Sequence, residues 1–284
     1  AALMRAMSAI GFGIVGAGLV ARYHARAIAD TPGARLVAIS RADASRAEEA
    51  AAEFGVPCET GLEALLERPD VDAVCLCTPS GLHAQQTRLA ARAGKHVLVE
   101  KPIALTLTDA DAMIAACRDA GVRLGVALQR RTEPASRALH DAIRAGELGD
   151  LVLGTATVPY FRPQSYYDSA AWRGTWSLDG GGALMNQGIH LVDLLLWLMG
   201  GEAEVVGASG GLVGHDIEVE DCIVAALRFS GSRCEDARGT IVATTAAAPG
   251  FAHRIEIYGS RNGAVIDGDG AGEGDSTDCV GRAG

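Results

Sequence analysis

Six consecutive residues near the N-terminus have the types and spacing that a dinucleotide phosphate requires. Gly16-Ala17-Gly18-Leu19-Val20-Ala21 follows a short apolar run and opens an Ala-rich amphipathic stretch. In such a strand-to-helix turn Gly16 permits the tight bend, Gly18 lets the backbone approach a pyrophosphate, and Ala21 keeps the helix close to the sheet. The N–H groups of the first helical turn, at Leu19 and Val20, would face the anion. We therefore expect a dinucleotide cofactor here, with a purely structural turn as the alternative.

The next predicted strand ends in Ser40-Arg41, where an NAD site normally has an acidic residue for the ribose hydroxyls. A guanidinium can instead form bidentate, charge-assisted hydrogen bonds with a phosphate. We therefore assign Ser40 and Arg41 to cofactor binding and predict a preference for NADP. NAD remains possible because Asp43 could reach the ribose, and Arg41 could equally be a solvated loop residue.

Two further segments follow predicted strands at the edge where an open parallel sheet binds its ligands. The first is Thr78-Pro79-Ser80, with His83 shortly after it, and the second is Glu100-Lys101-Pro102. We assign Thr78, Pro79, Ser80, His83, Glu100 and Lys101 to cofactor contacts. Desolvation and a neighbouring cationic or cofactor charge would lower the pKa of Lys101 from about 10.4 toward the range of a general base. The alternative is a surface lysine paired with Glu100.

A mostly apolar helix is predicted from about Gly182 to Met199, directly after a glycine-rich turn. Asn186, His190 and Asp193 lie at positions i, i+4 and i+7, so they would form a polar stripe on one face of that helix. Burying three polar groups costs free energy unless partners or a substrate satisfy them. The stripe therefore favours a helix that faces a cleft, although a lone histidine of this kind is often a satisfied core residue.

The stretch before that helix is the only aromatic-rich part of the chain, with Tyr166, Tyr167, Trp172 and Trp176 around Arg173. Such rings could stack on sugars, or pack in a core or a subunit interface. Arg162 and Arg173 would suit an anionic substrate such as a phosphorylated or nucleotide-linked sugar, although solvated arginines are common. We include Arg162, Trp172 and Arg173 among the expected substrate contacts.

Alternating apolar and amphipathic runs predict a parallel sheet with crossover helices over the first half of the chain. One helix in this part is expected to start after Thr108, with Asp111 completing a capping box and Gly121 after its last turn. From Leu151 strands follow one another without crossover helices, which predicts antiparallel pairing. The predicted strands are Phe12–Val15, Arg35–Ile39, Ala73–Cys77, His96–Glu100 and Arg123–Ala127, then Leu151–Val158, Val205–Ala208, Ile223–Phe229, Gly239–Thr245 and Arg254–Tyr258.

The predicted fold class is therefore an α/β Rossmann dinucleotide-binding domain followed by an α+β domain with an open, mainly antiparallel sheet. The expected domains are residues 1–129 and 130–267, joined through a helix from Glu133 to about Ala145. Residues 268–284 are rich in Gly and Asp and have little to bury, which predicts a disordered tail.

Composition excludes several classes of protein. A net charge of −10 leaves no broad basic surface for nucleic acid or anionic lipid, and no run reaches the roughly 18 apolar residues of a membrane span. The apolar stretch after Arg5 imitates a signal peptide, but its glycines break it. Seven cysteines, an odd number without paired ligand spacing, argue against a metal site and favour reduced thiols in a cytoplasm. Cys75 and Cys77 are expected to be small buried hydrophobes.

Taken together, Gly16-x-Gly18-x-x-Ala21, Glu100-Lys101-Pro102 and the glycine-rich helix carrying His190 resemble the glucose-fructose oxidoreductase, inositol dehydrogenase and rhizopine-catabolism (Gfo/Idh/MocA) family. The resemblance spans roughly residues 10–265 and implies that Lys101 and His190 are catalytic, with substrate hydroxyls between them. It also implies a homo-oligomer, a dimer or tetramer, formed through the C-terminal sheet. Many polyol-oxidising relatives have Asp where this chain has Asn186, and an amide can orient a hydroxyl but cannot accept its proton.

The function expected from these observations is NAD(P)-dependent hydride transfer to or from a hydroxyl-bearing carbon of a sugar, sugar derivative or polyol. Lys101, Arg162, Trp172, Arg173, Asn186 and His190 are the expected substrate contacts. His190 is favoured as the base because its ordinary pKa of about 6.5 suits neutral pH, with Lys101 polarising the oxygen, although the roles could be reversed. The alternatives are a cofactor- and sugar-binding sensor without turnover, or a dehydrogenase of a non-sugar such as a dihydrodiol or a tetrapyrrole.

Overall fold

The computed structural model describes residues 9–268, and the chain divides after Ala127 into two compact units. The sequence placed this division at residue 129. The expected tail lies outside the described residues except for Gly268, whose N–H donates to the carbonyl oxygen of His253 at 2.8 Å. In residues 9–268 no helix is long and apolar enough to cross a membrane.

The first unit contains a six-stranded, fully parallel sheet with the order β3-β2-β1-β4-β5-β6. Its central strands are nearly continuous apolar runs because helices cover both faces of such a sheet. The expected Rossmann architecture is confirmed, and β3 is an additional short edge strand that the sequence did not reveal. The strands are β1 (Ile10–Val15), β2 (Ala34–Arg41), β3 (Cys58–Thr60), β4 (Ala73–Leu76), β5 (His96–Val99) and β6 (Leu124–Val126).

Five α-helices of the first unit connect these strands: α1 (Leu19–Asp30), α2 (Ala47–Phe54), α3 (Leu62–Leu66), α4 (His83–Arg92) and α5 (Leu107–Asp119). The start predicted for α5 was wrong by two residues. Thr106, not Thr108, is the N-cap, and its hydroxyl oxygen accepts the N–H of Asp109 at 3.0 Å. Gly121 follows the helix with a φ of 68°, a left-handed conformation that suits glycine.

The second unit contains a six-stranded mixed sheet with the order β12-β11-β7-β10-β9-β8. All pairs are antiparallel except β7 with β10, so the expected mainly antiparallel sheet is confirmed with one parallel pair. The last strand, β12, was not predicted, and β8 is longer than expected. The strands are β7 (Leu151–Pro159), β8 (Glu202–Gly211), β9 (Cys222–Ser230), β10 (Ala237–Thr244), β11 (Arg254–Gly259) and β12 (Gly263–Asp267).

The helices of the second unit are α6 (Pro134–Ala145), α7 (Gln164–Asp168) and α8 (Ile189–Met199). Leu194, Leu195 and Leu198 of α8 are buried against one face of the sheet. This approach is close because β7 has Gly154 there, where a Cβ would lie 2.7 Å from the Sδ atom of Met199. The opposite face of the sheet carries half-buried and exposed side chains, among them Thr155, Val224, Arg228, Arg238 and Thr240.

Candidate active-site residues

The glycine-rich turn between β1 and α1 has the geometry that a dinucleotide phosphate needs. Gly16 has a φ of +94°, and a Cβ there would lie 2.7 Å from the carbonyl oxygen of Cys77. Gly18 precedes the first residue of α1 and has no atom within 4 Å of where a Cβ would be. No side chain caps this helix and its first turn has no acidic residue. The N–H groups at this end are therefore open to an anion, which fits a pyrophosphate.

The three residues that follow Gly18 have different environments. Leu19 and Val20 are exposed at the helix N-terminus, whereas Ala21 is fully buried among residues of the sheet such as Ile14 and Ile39. A small side chain at Ala21 thus allows the close packing of α1 on the sheet that the sequence predicted.

Ser40 and Arg41, at the end of β2, have different environments. Ser40 is buried, its carbonyl oxygen accepts the N–H of Gly16 at 2.9 Å, and its hydroxyl has no hydrogen-bond partner within residues 9–268. Its side chain therefore has almost no surface for a cofactor, contrary to expectation. Arg41 is half-buried. Asp43 caps the short helical turn after it, and its carboxylate accepts both the N–H and the hydroxyl of Ser45, at 2.9 and 2.6 Å.

These hydrogen bonds from Ser45 hold the pKa of Asp43 below its ordinary value. Both hydrogen bonds end on the Oδ1 atom of Asp43, so the neighbouring turn orients this exposed carboxylate. Arg41 forms no ion pair with any residue from 9 to 268, which leaves it as the group of this loop best able to meet a phosphate.

His83 is fully buried and bridges the two segments beyond β4 and β5. Its Nδ1 atom lies 2.9 Å from the carbonyl oxygen of Pro102, and its Nε2 atom lies 3.0 Å from that of Thr78. Burial lowers the pKa of His83, against the raising effect of these two carbonyl contacts. His83 has no exposed surface with which to contact a cofactor, so the direct contact expected from the sequence is corrected to a contact with the backbone.

Glu100 and Lys101 follow β5 at the same edge of the sheet. The Glu100 carboxylate lies 2.8 Å from Nε2 of His24 on α1 and accepts the N–H of Lys101 at 3.2 Å. Burial alone would raise the pKa of Glu100, but the hydrogen bond and charge of His24 and the charge of Lys101 hold it below its ordinary value. Glu100 is therefore an internal anion that binds α1 to the lysine segment rather than a free surface carboxylate.

Thr78, Pro79 and Ser80 lie in the loop between β4 and α4. The Thr78 hydroxyl donates to the Oε1 atom of Gln86 at 2.5 Å, and Ser80 is buried at the start of the helical turn that leads into α4. Thr78 and Pro79 are half-buried and thus retain surface at the edge of the sheet.

The helix carrying His190 differs from its prediction. A wide π-helical turn, Ala183–Gly188, precedes α8 instead of one regular helix from Gly182 to Met199. Glu220 explains this start: its carboxylate accepts the N–H groups of Gly182 and Leu184, each at 3.0 Å. A Cβ at Gly182 would collide with the Glu220 backbone, so glycine is required at this contact. Turns of this kind often occur at functional sites.

A side-chain network surrounds Asn186 in the π-helical turn. Its amide nitrogen donates to the carboxylate of Asp179, which is buried and also accepts the N–H of Gly174. Its amide oxygen accepts from Gln187 at 3.0 Å, and Gln187 also donates to the hydroxyl of Tyr166 at 3.3 Å. The orientation of the Asn186 amide is thus set by a carboxylate on one side and an amide donor on the other.

Two arginines stack on the ring of Tyr166. The guanidinium carbon of Arg173 lies 4.2 Å from the ring centroid and that of Arg162 lies 5.4 Å from it. Arg173 also stacks on Trp172 at 4.7 Å and donates to the Tyr166 hydroxyl at 2.6 Å. The buried Nε atom of Arg173 has no hydrogen-bond partner within residues 9–268. The two guanidinium groups are able to pair with an anionic ligand.

The polar stripe expected on the helix divides between different partners. His190 is half-buried near the start of α8. Asp193 forms an ion pair with Arg131, with a distance of 2.7 Å between its Oδ2 atom and the arginine Nε. Asp193 therefore has a structural partner, as Asn186 has in Asp179 and Gln187. Asn186 and His190 stay the candidate substrate contacts of the stripe.

Sequence reasoning missed several residues that position this region. His215 is buried between the carboxylate of Asp221, at 2.9 Å, and the carbonyl oxygen of Arg162, at 2.7 Å. Burial would raise the pKa of Asp221, but hydrogen bonds from the backbone of Val213 and Gly214 and from His215 hold it below its ordinary value. His215 and Arg162 are 53 positions apart, which no short-range spacing signals. His215 and Asp221 are only six positions apart, but no motif of the sequence drew attention to that pair.

Two family models match the chain. Residues 10–128 match an oxidoreductase family with an NAD-binding Rossmann fold, and residues 136–265 match the GFO/IDH/MocA C-terminal domain. This chain belongs to the Gfo/Idh/MocA oxidoreductase family. The resemblance inferred from its three motifs is thereby confirmed.

Individual members of the Gfo/Idh/MocA family are similar over most of the chain. The 1,5-anhydro-D-fructose reductase of Ensifer adhaerens is 35% identical over 220 residues, 77% of this chain and 65% of that protein. The inositol 2-dehydrogenase of Rhizobium meliloti (strain 1021) is 31% identical over 261 residues, 89% and 74% of the two chains. The WlbA dehydrogenase from Bordetella pertussis, solved with NADH and UDP-GlcNAcA, aligns with a TM-score of 0.86 and 39% identity over 92% and 78%. These proteins are a reductase and two dehydrogenases, and the chain spans about two thirds to four fifths of their lengths.

Proposed function

We propose that this protein transfers a hydride between the nicotinamide of a bound dinucleotide and a hydroxyl-bearing carbon of a sugar-derived substrate. The observation that carries the proposal is the uncapped start of α1 after Gly16 and Gly18, at the same sheet edge as Lys101. An uncapped helix N-terminus beside a tight glycine turn suits a pyrophosphate. The nicotinamide supplies the hydride chemistry, so the protein has to bind, orient and exchange a proton.

We assign the proton exchange to His190 and Lys101. In the direction of oxidation a ring nitrogen of His190 takes the hydroxyl proton, because histidine ordinarily titrates near pH 6.5. Lys101, as a cation, stabilises the charge that develops on the substrate oxygen. In the alternative assignment the two residues exchange roles, and both assignments require both side chains.

We propose that the substrate is an anionic sugar, such as a nucleotide-linked or acidic sugar. Arg162 and Arg173 stack on Tyr166 close to the Asn186 network, and the buried Nε of Arg173 has a hydrogen bond still to give within the described part of the chain. Trp172 adds an aromatic surface beside Arg173. The similarity to the WlbA dehydrogenase, which was solved with UDP-GlcNAcA, supports the same class of substrate. Asn186 orients a hydroxyl and accepts no proton from it.

For the cofactor we propose a preference for NADP over NAD. Arg41 at the end of β2 can pair with a 2′-phosphate, and Ser45 orients the neighbouring Asp43 carboxylate through its Oδ1 atom. The WlbA dehydrogenase was solved with NADH, so discrimination between the two cofactors has to be measured rather than transferred.

We further propose that the protein is a cytoplasmic homo-oligomer that pairs through the open face of the second sheet. That face carries exposed apolar and polar side chains, among them Val224, which is 47% exposed, and Arg228 and Arg238. Sedimentation of the wild type and of Val224→Glu tests this: the wild type should sediment as a dimer or tetramer and the variant as a smaller species. Equal sedimentation of both would contradict an interface at this face.

The proposed activity is tested with NADP or NAD and one sugar at a time, following the absorbance of the nicotinamide. UDP-GlcNAcA, myo-inositol and, with NADPH, 1,5-anhydro-D-fructose cover an anionic sugar, a neutral polyol and a ketose. We expect turnover that is fastest with the anionic sugar. Cofactor binding without turnover of any sugar would favour the sensor hypothesis, which the presence of both Lys101 and His190 otherwise disfavours.

A further inference from the structure

Two histidines from different helices converge on the three residues Glu100-Lys101-Pro102. His24 lies on α1, directly after the glycine-rich turn, and His83 is the first residue of α4. Each reaches across more than fifteen residues of sequence to this segment, His24 to Glu100 and His83 to Pro102. Lys101 is therefore flanked on both sides by residues whose positions histidine side chains fix.

The contact on the C-terminal side is made to the backbone. His83 is completely buried, and its two ring nitrogens lie 2.9 Å and 3.0 Å from the carbonyl oxygens of Pro102 and Thr78. Carbonyl oxygens only accept, so the ring donates to one or both of them. One rigid ring thus fixes the distance between the loop after β4 and the loop after β5, whichever side chains those loops carry.

The contact on the N-terminal side is made through a carboxylate. Nε2 of His24 and Oε1 of Glu100 are 2.8 Å apart, and the side chains are only 13% and 16% exposed. The other oxygen of Glu100 accepts the N–H of Lys101 at 3.2 Å. Hydrogen bonds to a partly buried carboxylate are stronger than those at the surface, so this chain of contacts couples α1 to the backbone of Lys101.

Neither histidine offers more than a small surface to a ligand, and both act on the backbone around one lysine. A catalytic amine must be held within about half an ångström of its working position, which neighbouring side chains have to ensure. We propose that His24 and His83 are positioning residues that hold Lys101 at the ligand edge of the sheet. This proposal rests on the catalytic role assigned to Lys101 above.

The chain offers a direct probe because Lys95 and Lys101 are its only lysines. They lie at opposite ends of β5, and Lys95 donates to the carbonyl oxygens of Arg68 and Val71. Trace acetylation of the intact protein with acetic anhydride over a range of pH, followed by peptide mass spectrometry, measures the reactivity of both amines. Lys95 then serves as an internal reference for Lys101, with and without NADH.

We expect His24→Ala and His83→Ala to change the Lys101 to Lys95 labelling ratio by about threefold or more, which corresponds to a shift of about half a pKa unit. NADH should protect Lys101 in the wild type and protect it less in both variants. His24→Gln keeps an N–H donor for Glu100 and should restore the wild-type profile. His140→Ala is the matched control, since His140 lies on α6 in the second unit and stacks on the ring of Trp197.

Unchanged Lys101 profiles in both alanine variants would overturn the proposal, as would a His24→Gln profile equal to that of His24→Ala. If His83→Ala unfolds, the labelling of Lys95 will rise together with that of Lys101. The comparison of His24→Ala with His24→Gln then tests the proposal without it. The labelling needs no turnover. Full turnover by Lys101→Met would refute the proposed catalytic role, whereas loss of turnover with unchanged labelling in the histidine variants would refute only the positioning role.

Discussion

The two units hold their candidate functional residues by different means. In the first unit the contacts are largely to the main chain: Gly16 donates to the carbonyl of Ser40, and His83 meets two carbonyl oxygens. In the second unit the candidate substrate residues are held by side chains, as where Asp179 orients Asn186 and Tyr166 supports Arg173. Carboxylates such as that of Glu220 hold the main chain around them. Main-chain contacts depend little on which side chains the loops carry, whereas a side-chain network changes with each substitution.

This difference suits a division of labour between the two units. A dinucleotide is the same in many enzymes, so a backbone cradle can be kept while the rest of the chain changes. Substrates differ, and a network of side chains can be adapted one residue at a time. Substitutions in the first unit should therefore affect cofactor binding or the chemical step, and those in the second unit should affect the choice of substrate.

The largest effects are expected at the two residues to which proton exchange is assigned. Lys101→Met and His190→Asn should each lower kcat by about 10²- to 10⁴-fold, the usual contribution of a positioned proton donor or acceptor. Stabilisation by the cofactor should persist in both variants, with some weakening in Lys101→Met, because the N–H groups at the start of α1 hold the pyrophosphate and Lys101 is one contact among several. Parallel turnover assays and melting curves check this. A variant that lost cofactor binding as well would show that its residue binds the dinucleotide instead.

The backbone cradle is tested next, with Gly16→Ala. The added Cβ would lie 2.7 Å from the carbonyl oxygen of Cys77 at a φ of +94°, so we expect about 1–3 kcal/mol of destabilisation and a large loss of cofactor affinity. Gly33→Ala is the control, since Gly33 also has a positive φ but no atom within 4 Å of its Cβ position. Gly33→Ala should lower the stability of the fold and leave cofactor affinity unchanged. Equal cofactor affinity in both variants would show that the glycine-rich turn does not bind the dinucleotide.

Substrate choice is tested with Arg173→Met. Loss of a charge-assisted hydrogen bond should raise KM for an anionic sugar by roughly 10- to 100-fold and leave the KM of the cofactor unchanged. Arg118→Met removes an exposed arginine that pairs with Asp119 and should change neither value. A rise in the KM of the cofactor for Arg173→Met would contradict the assignment of this cluster to the substrate.

A smaller effect is expected at the end of β2. Arg41→Ala should lower the preference for NADPH over NADH by roughly tenfold, the value of one charge-assisted pair in partial contact with water. The ratio of the two dissociation constants is the quantity to measure. An unchanged ratio would mean that Arg41 is a solvated loop residue.

The smallest effect is a change in stability with pH. Burial lowers the pKa of His83 in the folded protein, so the unfolded chain binds more protons between that pKa and about 6.5. The stabilisation that neutral His83 gives the folded protein is complete above about pH 6.5. It is lost as the pH falls from 6.5 toward the pKa of His83 in the folded protein. Melting temperatures of His83→Asn should therefore fall less steeply than those of the wild type as the pH is lowered below about 6.5. Parallel curves would show that His83 does not titrate differently on folding.

Much of the first unit was predictable because buried apolar strands and glycine turns are local signals. The failures have local causes too. Residues 106–111 contain two overlapping Thr-x-x-Asp patterns, at Thr106 and Thr108, and the sequence does not decide which threonine caps α5. The missed strand β3, Cys58–Thr60, has no apolar run and none of its residues is buried. The apolar run of the missed strand β12, Gly263–Asp267, lies directly before the glycine-rich end of the chain and was assigned to no element.

Pairings between distant residues were not predictable. His24 and Glu100 are 76 positions apart, and no motif signals their contact. The π-helical turn before α8 depends on Glu220, which follows it by more than thirty residues, so the sequence predicted one regular helix instead. His83 was recognised as part of the correct segment, but only burial shows that it contacts backbone rather than ligand.

The central claim is that the glycine-rich turn and its surroundings form a working dinucleotide site. The most direct measurement is the melting temperature of the purified protein with NADPH and NADH at matched concentrations, because a ligand that binds only the folded state raises it by mass action. We predict a clear rise with both cofactors, and a larger one with NADPH. No rise with either cofactor would contradict the dinucleotide site and, with it, the proposed oxidoreductase activity.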